Sequence, residues 1–270
     1  MVREDFSTII RKIRIISGAI LFAYVIMHLL NHSINIFSID LADAVRSSYF
    51  HPVWQNPVGL VLLYGSFVAH MILGFSSILT RKSFKMKAKD WIQIIFPVLA
   101  LLFLLQHIAI SFIITKIFGG EETYSVFFAA MNTETPSDLI VGAILFSLMT
   151  IFIWVHGAIG IDSYLKQQAV HHNKFTFYIR YPSLFRFVYW IVPVGAVLGW
   201  LSGLRNMSFI AQIQSFEMDM PIPNYLGSII FKYIPQEAFP IIMQVEPLVM
   251  KYYPLVVLFI ILVCILNVTS

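Results

Sequence analysis

The chain has 270 residues, of which 59% are hydrophobic and only 12% charged, with a formal net charge of +4 and a mean hydropathy of +0.80. Soluble domains carry about a quarter of their residues as charged side chains, so this composition excludes one. The single cysteine, Cys264, excludes an intramolecular disulfide, a cysteine-held iron–sulfur cluster and a Cys-rich zinc site.

Six apolar runs are long enough to cross a bilayer, which takes about 20 helical residues. They fall at roughly 14–37, 57–80, 91–117, 138–163, 184–204 and 249–268. Backbone in lipid must satisfy its own hydrogen bonds, so every run is read as helix. The leader "MVREDFSTIIRKIR" precedes a run too long for a signal-peptide core, with no small-x-small cleavage site after it. It is expected to be retained. The second and third runs are joined by "RKSFKMKAKD", the third and fourth by the acidic "GGEETYSVFFAAMNTETPSD". Segment 206–248 is the longest connection, apolar yet punctuated by prolines. That pattern suits short helices lying on the outer surface or a packed cap over the bundle. No internal repeat or low-complexity tract is present.

Charge sets the orientation. Thirteen of the 18 Lys and Arg residues lie in the leader, the second connection and the fourth connection, all on one side. Basic loops stay inside, so both termini are expected in the cytoplasm, or in the matrix of an organelle. The same bias accounts for a pI near 9.1 without any nucleic-acid partner.

Five of the eight histidines fall inside runs: His28 and His32 in the first, His70 in the second, His107 in the third and His156 in the fourth. An ionisable side chain within a membrane span is costly and marks a candidate functional site. His70 lies 11 residues before Arg81 and His156 lies 10 before Lys166, about 15–16 Å from the inner charges at 1.5 Å per residue. His107 lies 17 residues above Asp90, and His28 and His32 lie 14 and 18 above Arg14, about 21–27 Å by the same rise. Two levels result, each supplied by two helices running parallel.

Paired imidazoles from facing helices suit a metal held axially from both sides. Haem b is the leading candidate, because bundle cores accept cofactors between helices and histidine is a standard axial ligand. Gly74 follows His70 at i+4, Gly160 follows His156 and Ser111 follows His107, leaving room for a flat ring on the ligand face. Competing accounts are a structural hydrogen-bonding role for each histidine, ordinary small-residue helix packing, a mononuclear copper or zinc site, and a proton relay. The two rulers leave the first-run ligand open: inner charges favour His32, outer acids favour His28. Haem propionates or a quinone are expected to meet His32, Arg46 and Arg205 outside, and Arg81 with Lys82 inside.

The segments "YVIMHLL", "LYGSFVAHMILG", "LLFLLQHIAISF" and "FIWVHGAIG" resemble the haem-ligand segments of dihaem cytochrome b anchors in succinate dehydrogenase and fumarate reductase. The closer likeness is to the membrane haem domain of some bacterial class III adenylyl cyclases, through "GAILFAYVIMHLLNHSINIFS", "NPVGLVLLYGSFVAH" and "WVHGAIGID". The likeness covers nearly the whole chain, is fairly specific through the fourth run and is weak after it. It implies His28 with His107 on an outer haem b and His70 with His156 on an inner one. In that family a ferredoxin-like and a cyclase domain follow, whereas this sequence runs to Ser270; the soluble part is expected on another polypeptide or beyond these residues.

The expectation is therefore an all-α membrane protein of six transmembrane helices, with a dihaem bundle over 1–163 and two further spans over 164–270. It would pass electrons between the quinone pool and a cytoplasmic-face partner, as the redox-sensing anchor of a cyclase or as the anchor subunit of a respiratory complex. A bacterial inner membrane is the expected location, or the mitochondrial inner membrane in a eukaryote. A non-redox scaffold or transporter is the third class. Catalysis, if any, would reside on the attached or partner domain.

Overall fold

A computed structural model describes residues 6–83, 85–132, 136–172, 174–245, 248, 251 and 252. Helices α1 (Phe6–Ile34), α2 (Ile39–Val45), α3 (His51–Trp54), α4 (Pro57–Leu79) and α5 (Ala88–Phe112) form the first half. Helices α6 (Tyr124–Asn132), α7 (Pro136–His172), α8 (Thr176–Arg180), α9 (Pro182–Glu217) and α10 (Ile222–Tyr233) complete it. Among the described residues every regular element is helical.

Helices α1, α4, α7 and α9 are each long and apolar enough to cross a membrane, over Thr8–Ile34, Pro57–Leu79, Leu139–His172 and Pro182–Glu217. The α5 region is a fifth such span if its two halves, Ala88–Leu101 and Phe103–Ile117, bent by 42°, count as one. The expected sixth span, 249–268, lies outside the described residues apart from 251 and 252, and so does Cys264.

Local chemistry sets several boundaries. Asn56 caps α4, its side-chain oxygen accepting from the N–H of Val58 at 2.9 Å and of Gly59 at 3.0 Å, while Pro57 takes the first helical position. Helix α9 overruns the expected fifth span to reach Glu217, because nothing in "RNMSFIAQIQSFE" breaks it. Asp219, in the left-handed region at φ 48°, and Pro221 then stop it.

The connection after the fifth run is a packed cap. Leu226 and Ile230 of α10 and Phe128 of α6 are buried with Trp200, Leu204, Met207 and Ala211 of α9. Helix α9 also lies against α1. A Cβ on Gly199 would run into the backbone carbonyl of His32, and one on Gly195 would sit 2.9 Å from Ser33 Oγ. The glycines thus let two backbones touch, the usual means of tight helix contact in lipid.

Two helix pairs frame the interior: α1 packs on α4, and α5 packs on α7. Between them runs a cavity of about 750 Å³.

Candidate functional site

All five histidines of the apolar runs line that cavity. They meet across it in two pairs. At one level the ring centres of His28 (α1) and His107 (α5) are 6.1 Å apart, and at the other those of His70 (α4) and His156 (α7) are also 6.1 Å apart. Each pair spans the gap between the α1/α4 layer and the α5/α7 layer.

That spacing has a chemical meaning. An imidazole nitrogen binds a metal at about 2 Å, and the ring centre lies roughly 1.2 Å further back. Two rings sharing one metal from opposite sides therefore have centres about 6 Å apart by the same bond length. Among the described residues no group of three or more His, Cys, Asp or Glu side chains is arranged to hold a metal ion. A site built from protein ligands alone, as in mononuclear zinc or copper, lacks its third ligand here. A macrocycle brings its own four equatorial donors and needs only the two imidazoles.

The His70 and His156 rings are each tied to a backbone carbonyl through Nδ1. His156 Nδ1–H donates to the backbone carbonyl of Gln93 at 2.9 Å, and His70 Nδ1–H donates to that of Arg14 at 3.2 Å. Ser17 Oγ donates to the same Arg14 carbonyl at 3.1 Å and lies 3.3 Å from His70 Nδ1. A carbonyl can only accept, so both Nδ1 atoms carry the proton and both Nε2 atoms keep a lone pair. Tying the distal ring nitrogen to a carbonyl is how metal-binding histidines are held and made more basic. Gly74 and Gly160 line the cavity beside these rings. A Cβ on Gly74 would meet nothing within 4 Å, and one on Gly160 only Gln93 Nε2 at 3.4 Å. The residues present fit a haem at this level.

The outer level is more polar. Tyr24 stacks on His28 with centres 5.5 Å apart. His32 and His28 share a hydrogen bond between their Nε2 atoms at 3.2 Å, and His32 Nδ1 is buried without a partner. Ser111 also lines the cavity, donating its hydroxyl to the Glu122 carboxylate. Arg46 faces in from the outer connection, donating from Nη1 to His51 Nε2 at 2.7 Å, with Asp43 at 3.7 Å. Burial and then the Arg46 charge hold His51 below its ordinary pKa, and burial pushes Tyr124 up.

Of the sequence candidates, His28, His32, His70, His107, His156, Gly74, Gly160, Ser111, Arg46 and Arg81 line one cavity. Arg205 is exposed on α9 and outside that lining. Sequence reasoning missed Ser17, Gly18, Gln93, Pro97, Glu122 and His51. Only Pro97, a proline inside an apolar run, carried a signal of its own. Comparison of the chain with protein-family models, curated proteins and solved structures finds no match.

Proposed function

We propose that the chain is a transmembrane dihaem cytochrome b that carries electrons between the quinone pool and a soluble partner on the cytoplasmic face. The observation behind it is the repeated 6.1 Å separation of two imidazole pairs across one cavity. In this assignment α1, α4, α5 and α7 are the four helices of the bundle, α9 is a fifth span, and 249–268 is a sixth.

His70 and His156 would hold the inner haem through Nε2, and His28 and His107 would hold the outer one. Gly74, Gly160 and Ser111 keep the ligand faces clear for the ring. Arg46 and Arg81, which both line the cavity, are placed to meet carboxylates or a quinone. Haem b, when bound, supplies a one-electron carrier, and the protein supplies its ligands, spacing and burial. Haem held by histidine from both sides would serve electron transfer in preference to oxygen activation. The cyclase-anchor and respiratory-anchor forms share this chemistry and differ only in the partner docked at the basic inner face.

The deciding experiment counts haem. Two low-spin b haems per wild-type chain are expected by pyridine haemochrome. His70→Ala or His156→Ala should lose one of them and leave the outer haem in place. A ratio of one or none refutes the assignment. Reporters fused at residues 85 and 270 should both read cytoplasmic, and an external signal from either removes the six-span topology.

A further inference from the structure

Pro97 lies inside α5 and has no N–H, so the carbonyl four residues earlier, that of Gln93, receives no helical hydrogen bond from it. A carbonyl left unpaired in a membrane interior is unfavourable and seeks a donor. The donor it finds comes from another helix: His156 Nδ1–H, at 2.9 Å. One turn further along α7, Gly160 lies against the Gln93 side chain, where a Cβ would fall 3.4 Å from Nε2. Helix α7 is thus docked on α5 around this carbonyl.

We infer that Pro97 is a positioning residue for His156. By withholding an N–H it presents Gln93 O to the imidazole, fixes the proton on Nδ1 and turns the Nε2 lone pair toward His70 across the cavity. The inference rests on the proposed haem ligation. The opposite ligand is held differently. The Arg14 carbonyl is shared with Ser17 Oγ at 3.1 Å, and its i+4 residue, Gly18, still has an N–H to offer. His70 reaches that crowded acceptor at 3.2 Å. The two inner ligands are therefore unequal, with His156 the more strongly polarised and the more basic toward iron. A more basic ligand favours the oxidised iron and lowers the inner haem's potential.

The test is a spectroscopic redox titration of the purified holoprotein in four forms: wild type, Pro97→Ala, His156→Met and the double variant. Pro97→Ala returns an N–H to compete for Gln93 O. The inner haem's potential should rise by about 59 mV, a roughly tenfold fall in the oxidised-to-reduced ratio at a fixed ambient potential for one electron, with the outer haem unchanged. In the His156→Met background, which has no Nδ1, Pro97→Ala should add nothing. An unmoved inner potential, an equal shift in both backgrounds, or a joint shift of both haems overturns the proposal. Electron–nuclear double resonance on the wild-type inner haem gives an arm that does not depend on the variants folding. One ligand should carry a strongly hydrogen-bonded Nδ1 proton, and two equivalent Nδ1 protons overturn the proposal. Wild-type protein lacking two haems would instead overturn the proposed function, and this inference with it.

Discussion

A Cβ on Gly18 would lie 2.8 Å from Cε1 of His70 and 3.2 Å from its Nδ1. The missing side chain on α1 is what lets the imidazole of α4 reach the Arg14 carbonyl. Gly18→Ala should push the ring off that acceptor and weaken binding of the proposed inner haem about 10- to 100-fold, the usual cost of losing a supporting hydrogen bond at a metal site. The outer haem should bind as before. Haem titration of the purified variant reads both. Unchanged inner binding in Gly18→Ala and Gly18→Val would mean that the ring is not held at this point.

Asp43 caps a helix that lies 81 residues downstream. Its carboxylate accepts from the N–H of Tyr124 at 2.7 Å and of Ser125 at 3.3 Å, and from Ser125 Oγ at 3.0 Å. These are orphan donors at the start of α6, and a lost cap costs about 0.5–2 kcal/mol. Asp43→Ala should lower the thermal stability of the outer cap by that amount and speed hydrogen exchange at Tyr124 and Ser125. Exchange rates equal to wild type there would exclude the capping role.

His51 should make the outer connection sensitive to acid. Its folded pKa lies below the ordinary 6.5 because of burial and the Arg46 charge. The unfolded chain therefore binds a proton more readily near that value, so the stability His51 contributes is present above pH 6.5 and is lost as pH falls toward its folded pKa. Protonated Nε2 could no longer accept from Arg46. The difference in melting temperature between wild type and His51→Gln, whose amide oxygen can still accept from Arg46, should shift against wild type between pH 7.5 and 5.5. A difference independent of pH would show that His51 does not titrate in this window.

Depth along a helix is legible in the sequence, because the rise per residue is constant. Counting from Arg81 and Lys166 is enough to set His70 level with His156. Rotation about each helix axis is not legible, since spans apolar all round carry little signal of which side faces inward. Arg205 shows this: it stands at the right depth for an outer contact yet is exposed on α9, away from the cavity. The spacing of Gly195, Gly199 and Gly203 is plain in "GAVLGWLSG", but its partners are not. They prove to be Ser33, the His32 carbonyl and Phe128, from two different helices. Pro97 likewise announces a freed carbonyl, while its taker, His156, is 63 residues from Gln93. What the sequence withholds at each of these places is the tertiary neighbour.

The last prediction concerns which histidine of "MHLLNH" would bind the outer iron of the proposed dihaem protein. His28 and His32 lie one turn apart on the same face, as i and i+4 residues do, and both line the cavity. The His28 ring centre stands 6.1 Å from that of His107, the separation that the inner pair also has. His32 instead lies against Tyr124, with ring centres 5.1 Å apart, and bonds His28 through Nε2. Its backbone carbonyl is pressed against Gly199 of α9, so this turn of α1 has little freedom to move toward α5. If His28 Nε2 ligates iron as proposed, both nitrogens of His32 would be left to meet a propionate or a quinone oxygen. His28→Ala should therefore abolish the outer haem spectrum. His32→Ala should retain it with a shifted midpoint potential, because a polar neighbour has gone while both ligands remain. Loss of the outer haem in His32→Ala with retention in His28→Ala would make His32 the ligand, and would require α1 to settle differently against Gly199 than it does here.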